Sequence, residues 1–275
     1  SNIIFIGPPS DAINSMGDKI ESKKIAKLAG INCIPGYDEI IKDPSRAIKL
    51  ANKIGFPVMI KASAGGGGKG MRVAFDEKQL TDGIISAKNE AINSFGDDRV
   101  FLEKYIQNPR HIEMQIIGDK KGNIVWLGER ECSIQRRHQK VIEESPSSFV
   151  DNKLRKEMGE QAIKLAKAVN YFSAGTIEYV VAEDKSFYFL EMNTRLQVEH
   201  PITEMTSNLD IVECMIEIAD NKSLKFKQED IVIDGWSFES RICAENPMRD
   251  FLPSIGLINR YVEPIKENNI RVDSG

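Results

Sequence analysis

Two alternating runs split by a short polar break constrain the fold of this chain more than any other feature. They are AGTIEYVVA (174–182) and FYFLEMN (187–193), separated by EDKS. Side chains of a strand alternate between its faces, so each run reads as one limb of an antiparallel hairpin. A turn of two or four residues centred on Asp184–Lys185 pairs Glu178 with Glu191 and Thr176 with Asn193, all four on one face. Opposed residues have Cβ atoms roughly 5 Å apart, and two bare carboxylates there repel by about 3 kcal/mol in an effective dielectric of about 20. A shared proton, a neighbouring lysine or a divalent cation must offset that. With Asn193 beside them the donors are all oxygen, which suits Mg²⁺ or Mn²⁺ bound together with phosphate oxygens. The bland alternative is a solvated sheet face with its charges splayed outward.

A second stretch, IKASAGGGGKGMRV (60–73), carries Gly65 to Gly68 in succession before Lys69 and Gly70. A P-loop aligned on Lys69 demands glycine at position 63 and serine or threonine at position 70, where the chain has Ser63 and Gly70. The dinucleotide fingerprint needs a helix straight after its glycines, and MRVAF alternates like a strand. What remains is strand, glycine loop, strand. Such a loop lets backbone N–H groups wrap a phosphate chain, with Lys61 as a point charge. A plain exposed hairpin competes with that reading.

Elsewhere helical stripes alternate with hairpins. Asp43, Pro44 and Gly55 punctuate a helix with Ala47, Ile48, Ala51 and Ile54 inward. Further helices are predicted over about 18–28, 77–94, 151–169 and 209–220. Strands are predicted at 3–7, 100–105, 111–118 and 123–133, and WSFESRICAENP opens a last all-strand stretch that puts Arg241 and Glu239 on one face. The order of elements gives an α+β class. IIFIG has no partner strand before it and IRVDSG starts another strand, so the chain reads as a segment of a longer protein. A net charge of −4 implies no strong grip on nucleic acid. No apolar run is long enough to cross a membrane, and SNIIFIGPPS lacks the basic start of a signal peptide. Cys33, Cys132, Cys214 and Cys243 lie far apart with no CxxC, which reads as free thiols in a reducing compartment.

Five stretches in fixed order carry a resemblance: MGDKIESKKIAKLAG, IKASAGGGGKGMRV, FLEKYIQNPRHIEMQIIGD, GERECSIQRRHQKVIEESPS and FLEMNTRLQVEHPITE. Together they resemble the biotin carboxylase component of biotin-dependent carboxylases. ESRICAENPMRDFLPSIGLINRYVEP is most similar to the α subunits of propionyl-CoA carboxylases. The resemblance covers essentially the whole chain. It implies an ATP-grasp fold with remnants of the flanking domains. Residues 1–19 end an N-terminal α/β domain, 20–220 form the ATP-grasp domain with a lid at about 34–105, and 221–275 begin a β-rich C-terminal domain. It also implies the reaction: ATP and bicarbonate form carboxyphosphate, whose CO₂ passes to N1′ of biotin. The cofactors implied are ATP, Mg²⁺ or Mn²⁺, and biotin on a carrier domain. The partners implied are that biotin carboxyl carrier domain, a carboxyltransferase subunit and further copies of the chain, in the cytoplasm or the mitochondrial matrix.

The resemblance also implies roles. Lys19 and Lys61 contact phosphates, and Gly66, Gly67 and Gly68 belong to a loop that closes over ATP. Glu103 and Lys104, with the backbone of Tyr105 and Ile106, contact adenine, and His111 neighbours ribose or phosphate. Gln135, His138 and Lys140 bind anions near the phosphates and bicarbonate. Glu178, Glu191 and Asn193 hold the metal. Arg195, Gln197 and the backbone of Val198 bind bicarbonate, Glu199 is its general base, and Arg241 stabilises the biotin enolate. Blander readings compete: QRRHQK as a solvated basic loop, His111 and His200 as structural histidines, Glu199 as a turn cap. Tyr171, Trp126 and Trp236 read as core or interface. The rival functions are another ATP-grasp ligase, of carbamoyl-phosphate or amino-acid type, and an inactive nucleotide-binding or interaction module.

Overall fold

The computed structural model describes residues 3–37, 40–41, 43–64, 70–264 and 269–274. Chain contacts divide it into two units, Ser1–Ser240 and Arg241–Gly275.

The first unit begins with helices α1 (Ser10–Gly17) and α2 (Lys19–Leu28), then β1 (Gly36–Tyr37), α3 (Pro44–Ile54), β2 (Val58–Ala62), β3 (Met71–Ala74), α4 (Glu77–Phe95) and β4 (Val100–Lys104). It continues with β5 (Arg110–Gly118), β6 (Ile124–Arg136), β7 (Gln139–Ser145), α5 (Asn152–Ala168), β8 (Ser173–Val181) and β9 (Phe187–Asn193). It closes with α6 (His200–Ser207), α7 (Ile211–Ala219) and β10 (Ser237–Ser240). Aspartates set the helix starts. Asp18, Asp43, Asp76, Asp151 and Asp210 each accept first-turn backbone N–H groups, which satisfies donors that no helical carbonyl can reach.

Two antiparallel sheets result. One has the order β1-β4-β2-β3, and Val58, Ile60 and Leu102 pack with Ala47, Leu80 and Ile84 of α3 and α4. Its β2–β3 connection is tight at the end: Ala62 N–H donates to Gly70 O at 3.0 Å, Gly70 has φ +71°, and a Cβ there would meet the Ala62 Cβ at 2.6 Å. The glycines Gly65 to Gly68, including the expected phosphate-loop residues Gly66, Gly67 and Gly68, lie outside the described residues.

The other sheet has the order β10-β7-β6-β5-β8-β9. On one face Met114, Ile177, Tyr179 and Phe189 pack with Met158 and Leu165 of α5. The opposite face changes character along the strands. Ile117, Val125 and Ala174 pack with Ile211 and Ile218 of α7, and further along the same strands Glu113, Gln115, Thr176 and Glu178 take over. That polar half is where the site lies. Trp126 is half-buried against the core, and Trp236 is exposed; both line a cavity of about 620 Å³.

The hairpin pairs Glu178 with Glu191 and Thr176 with Asn193 as expected, but two departures cancel to give that result. The loop has neither two nor four residues. Ala182 N–H donates to Ser186 O at 2.8 Å around a three-residue turn whose last member, Lys185, has φ +67°. That turn pairs Tyr179 with Phe189, one place off the expected register. Leu190 is then an extra residue in β9, a bulge that restores the expected pairing beyond it. Without the bulge, period-two alternation would turn Glu191 toward the core.

Other expectations need correction. Ile3, Ile4, Phe5 and Ile6 form no strand and are exposed, because no strand among the described residues pairs with them. QRRHQK is not a loop throughout: Gln135 and Arg136 end β6, Gln139 and Lys140 begin β7, and only Arg137 and His138 form the turn, both with positive φ. Helices α1 and α6 were not foreseen. The last strand stops at Ser240, so Arg241 does not share a strand face with Glu239.

The second unit contains β11 (Glu245–Asn246) paired with β12 (Leu252–Pro253), closed by Ser254 N–H donating to Ala244 O at 2.9 Å. Ile242, Met248, Ile255 and Leu257 are almost wholly exposed.

Candidate active site

The polar half of the six-stranded sheet converges on one ammonium. Lys140, the second residue of β7, donates to Glu178 Oε1 at 2.9 Å, to Glu199 Oε1 at 2.6 Å and to Glu113 Oε2. These carboxylates come from β8, from the segment just before α6 and from β5. Burial opposes the Lys140 charge, but Glu113, Glu178 and Glu199 outweigh it and push the lysine above its ordinary value. His111 Nε2 lies 3.0 Å from Glu178 Oε2. Burial would lower this histidine, yet Glu178 and then Glu113 push it up. Burial would likewise raise Glu178; the hydrogen bond and charge of His111, then Lys140, hold it below its ordinary value.

A second cation lies beneath. Arg130 of β6 is fully buried. Its Nε donates to Glu113 Oε1 at 2.6 Å, one terminal nitrogen to Gln115 Oε1 at 2.6 Å and Thr203 Oγ1 at 2.9 Å, the other to Gln197 Oε1 at 2.8 Å and Thr176 Oγ1 at 3.2 Å. Arg130 and then Lys140 hold the Glu113 carboxyl below its usual value despite burial. The charges of the cluster thus nearly cancel, as a buried polar network requires. Cys132 sits beside it with its thiol pushed up, chiefly by burial.

The loop between β9 and α6 alternates. Gln197 and Glu199 are buried, whereas Arg195 and Val198 are exposed. Gln197 donates to Glu178 Oε1 at 3.1 Å, so both ends of its amide are used within the network. Arg195 donates to Asn193 Oδ1 at 3.3 Å and to Leu196 O at 3.2 Å. Glu199 occupies the N-cap position of α6 but makes no capping hydrogen bond with its side chain; it points to Lys140 instead.

The four-stranded sheet contributes Lys61 and Glu103. Their side chains are buried, 2.6 Å apart, and Glu103 also pairs with Lys23 of α2. Burial, then the Lys19 charge, pull Lys61 down to about 7, and the Glu191 charge opposes this. Lys19 Nζ lies 3.7 Å from Glu191 Oε2. Glu103 therefore spends its carboxylate on lysines. Lys104, on the other face of β4, donates to Gly55 O at 2.9 Å and Phe56 O at 3.0 Å, and the Tyr105 N–H is taken by Pro57 O; half-buried Ile106 follows. Gln135 donates to Cys132 O at 2.8 Å, His138 is exposed at its turn, and Arg241 belongs to the second unit.

Glu178 and Glu191 suit a hard divalent cation. Glu191 is half-buried with its lysine at a loose 3.7 Å, so its oxygens are lightly committed. Asn193 turns its amide nitrogen to Glu178 Oε1 at 2.8 Å, so ligation through its oxygen requires an amide flip. His111, Glu113 and Glu178 also lie close enough to share an ion, but Arg130 and Lys140 already fill that place for Glu113.

Arg130, Glu113, Gln115 and Thr203 were not among the residues expected from sequence. A signal existed for two: in HIEMQIIG, Glu113 and Gln115 alternate with Ile112, Met114 and Ile116, the same one-face pattern that marks Glu178.

Residues 18–227 match the family model described as the carbamoyl-phosphate synthase L chain, ATP binding domain. The chain belongs to that family. Within it, the chain is an ATP-binding domain of the biotin carboxylase type with an ATP-grasp fold. The mitochondrial propionyl-CoA carboxylase alpha chain of Sus scrofa is 59% identical over 274 residues, 99% of this chain and 38% of the relative. The biotin carboxylase of Campylobacter jejuni, solved as a β-γ-ATP complex, is 52% identical with a TM-score of 0.93, over 97% of this chain and 59% of that one. The biotin carboxylase domain of Hydrogenobacter thermophilus 2-oxoglutarate carboxylase, solved with MgADP, ADP and bicarbonate, is 49% identical, also with a TM-score of 0.93, over 96% of this chain and 58% of that one. The chain thus spans 38% of the length of the curated relative.

Proposed function

We propose that this biotin carboxylase-type domain catalyses the ATP-dependent carboxylation of biotin. The observation that carries the reading is the convergence of Lys140, Glu178 and Glu199 within 2.9 Å, next to the half-buried Glu191. In the reaction a bicarbonate oxygen attacks the γ-phosphorus of ATP, and the bond to the ADP oxygen breaks. The carboxyphosphate formed splits at its C–O bond into CO₂ and phosphate, the phosphate takes the N1′ proton of biotin, and N1′ bonds to the CO₂ carbon.

Glu199 takes the proton of bicarbonate, and Lys140 beside it offsets the negative charge gathered there. Arg195 presents a planar fork to the anion from the exposed side of the loop, and the Val198 backbone adds to it. Lys19 and Lys61 take phosphate oxygens. Burial and the neighbouring Lys19 charge pull Lys61 down to about 7, and an incoming phosphate would favour its charged form. Glu178, Glu191 and Asn193 would hold Mg²⁺ or Mn²⁺, which would supply positive charge against the phosphates. Arg241 opens the second unit and is proposed to stabilise the biotin enolate.

The Hydrogenobacter enzyme was solved with MgADP and bicarbonate, which supports the same ligands here. Likeness to propionyl-CoA carboxylase supports an acyl-CoA carboxylase containing a biotin carrier, a carboxyltransferase partner and a matrix location where the source is eukaryotic. We place the nucleotide lid at about 34–105, the ATP-grasp domain at 20–220, and flanking-domain segments on either side. The test is ADP release from MgATP by the full natural polypeptide. It must depend on both bicarbonate and free biotin; release driven instead by a nitrogen nucleophile would give the chain to the rival ligases.

A further inference from the structure

We propose that Arg130 is a positioning residue that sets the bicarbonate-handling loop and Lys140 against each other without touching substrate. The inference rests on the reaction proposed above and assigns a role to a residue in its second layer. A guanidinium has five N–H donors in a rigid plane. Here all five are used, on five side chains. Their acceptors come from β5 (Glu113, Gln115), β8 (Thr176), the β9–α6 loop (Gln197) and α6 (Thr203). Two of them lead to the site. Glu113 shares its carboxylate between Arg130 and Lys140. Gln197 shares its amide between Arg130 and Glu178, and lies two residues from both Arg195 and Glu199. One planar group therefore fixes both the acceptor that holds Lys140 and the loop that carries the base.

A structural arginine could be replaced by any cation that fills the space. The geometry makes a sharper demand, because a lysine has three donors and no plane, and must leave at least two acceptors unpaired. Misplacement of reacting groups by about 1 Å can cost about 100-fold in rate.

The test is Arg130→Lys and Arg130→Met in the full natural polypeptide, read by steady-state kinetics and by hydrogen exchange over residues 194–200. R130K is expected to stay folded, lose about 100-fold in kcat and gain about tenfold in the KM for bicarbonate, with the KM for MgATP within about twofold. Unchanged bicarbonate kinetics in folded R130K overturn the proposal, and so do equal shifts in both KM values, which is what general loosening gives. If the wild-type protein shows no bicarbonate-dependent turnover, the reaction assignment fails by itself. Exchange then decides for Arg130. A rise of about tenfold over 194–200, with 58–62 and 71–74 unmoved, sustains the positioning role, and no local rise ends it. Should both variants fail to fold, Thr203→Val removes a single acceptor, and the same readouts apply with an expected change of about threefold.

Discussion

The two sheets handle buried charge in opposite ways. In the four-stranded sheet, β2 pairs with β3 and β4 in unbroken register, and its buried lysine, Lys61, touches one carboxylate, Glu103. In the six-stranded sheet, three strand pairings shift register, at β5–β6, β6–β7 and β8–β9, and its half-buried lysine, Lys140, meets three carboxylates. A regular strand offers every second side chain to a face. A bulge changes which ones, and so lets polar groups from several strands meet at one point. The first lysine is pulled down by burial and by the Lys19 charge, despite its one carboxylate. The second is pushed up and is already neutralised.

The contrast breaks most sharply at Leu190. Inserting one residue between Glu178 and Tyr179 would give Leu190 a partner, so regular alternation should swing Glu191 and Asn193 to the core face and Met192 off it, abolishing bicarbonate-dependent ATP turnover and lowering the urea midpoint. An insertion variant with normal activity would show that the bulge is not what aims these residues.

Lys140→Met comes next. Three buried carboxylates lose their shared cation, so unfolding stability should fall by about 3–5 kcal/mol, measured in urea, with turnover lost. Asp119 tests the turn that sets the β5–β6 register. Its carboxylate accepts from the N–H groups of Lys121, Asn123 and Leu224 and from the Asn123 side chain. Burial would raise this carboxyl, but the Asn123 side chain and those N–H groups hold it below its ordinary value. Its contribution is therefore present above the unfolded pKa of about 3.9 and disappears as pH falls through the lower folded value. D119N should cost about 1–2 kcal/mol at neutral pH and lose that acid-side dependence.

Lys61→Met should be mildest for stability, because Glu103 keeps Lys23, while the KM for MgATP rises about tenfold. The lysine's folded value lies near 7, below its unfolded value of about 10.4. Between these the unfolded chain binds the extra proton, so wild-type stability should rise with pH relative to K61M from about 7 to about 10. A flat difference would mean that Glu103 keeps the lysine charged throughout, and the contrast between the two sheets would narrow.

Much of this was legible from local pattern. The Asp43 cap, the glycine after α3 and the alternation in β8 and β9 report short-range physics, and the elements built on them appear where expected. The α1 and α6 helices were missed because eight residues carry too little periodicity to stand out. The strand expected at 3–7 failed for the complementary reason. Apolar alternation makes a strand only where a neighbour takes its hydrogen bonds. At the site, the Glu178–Glu191 pairing was legible from the alternation, whereas the three-residue turn and the Leu190 bulge that together produce it leave no mark in the local pattern.

By itself the sequence determined most of the helix and strand segments, which limbs of the β8–β9 hairpin pair antiparallel, and which residue types could meet a nucleotide and an anion. Those properties depend on neighbours a few residues away. The tertiary structure alone decided that Lys140 meets Glu113, Glu178 and Glu199, residues 27, 38 and 59 positions distant, and that Arg130 joins five side chains beneath them. Contacts across such distances in the chain exist only once the bulges have set the register and the core on the other face of the sheet has fixed it, because a one-residue slip would turn every one of those groups away.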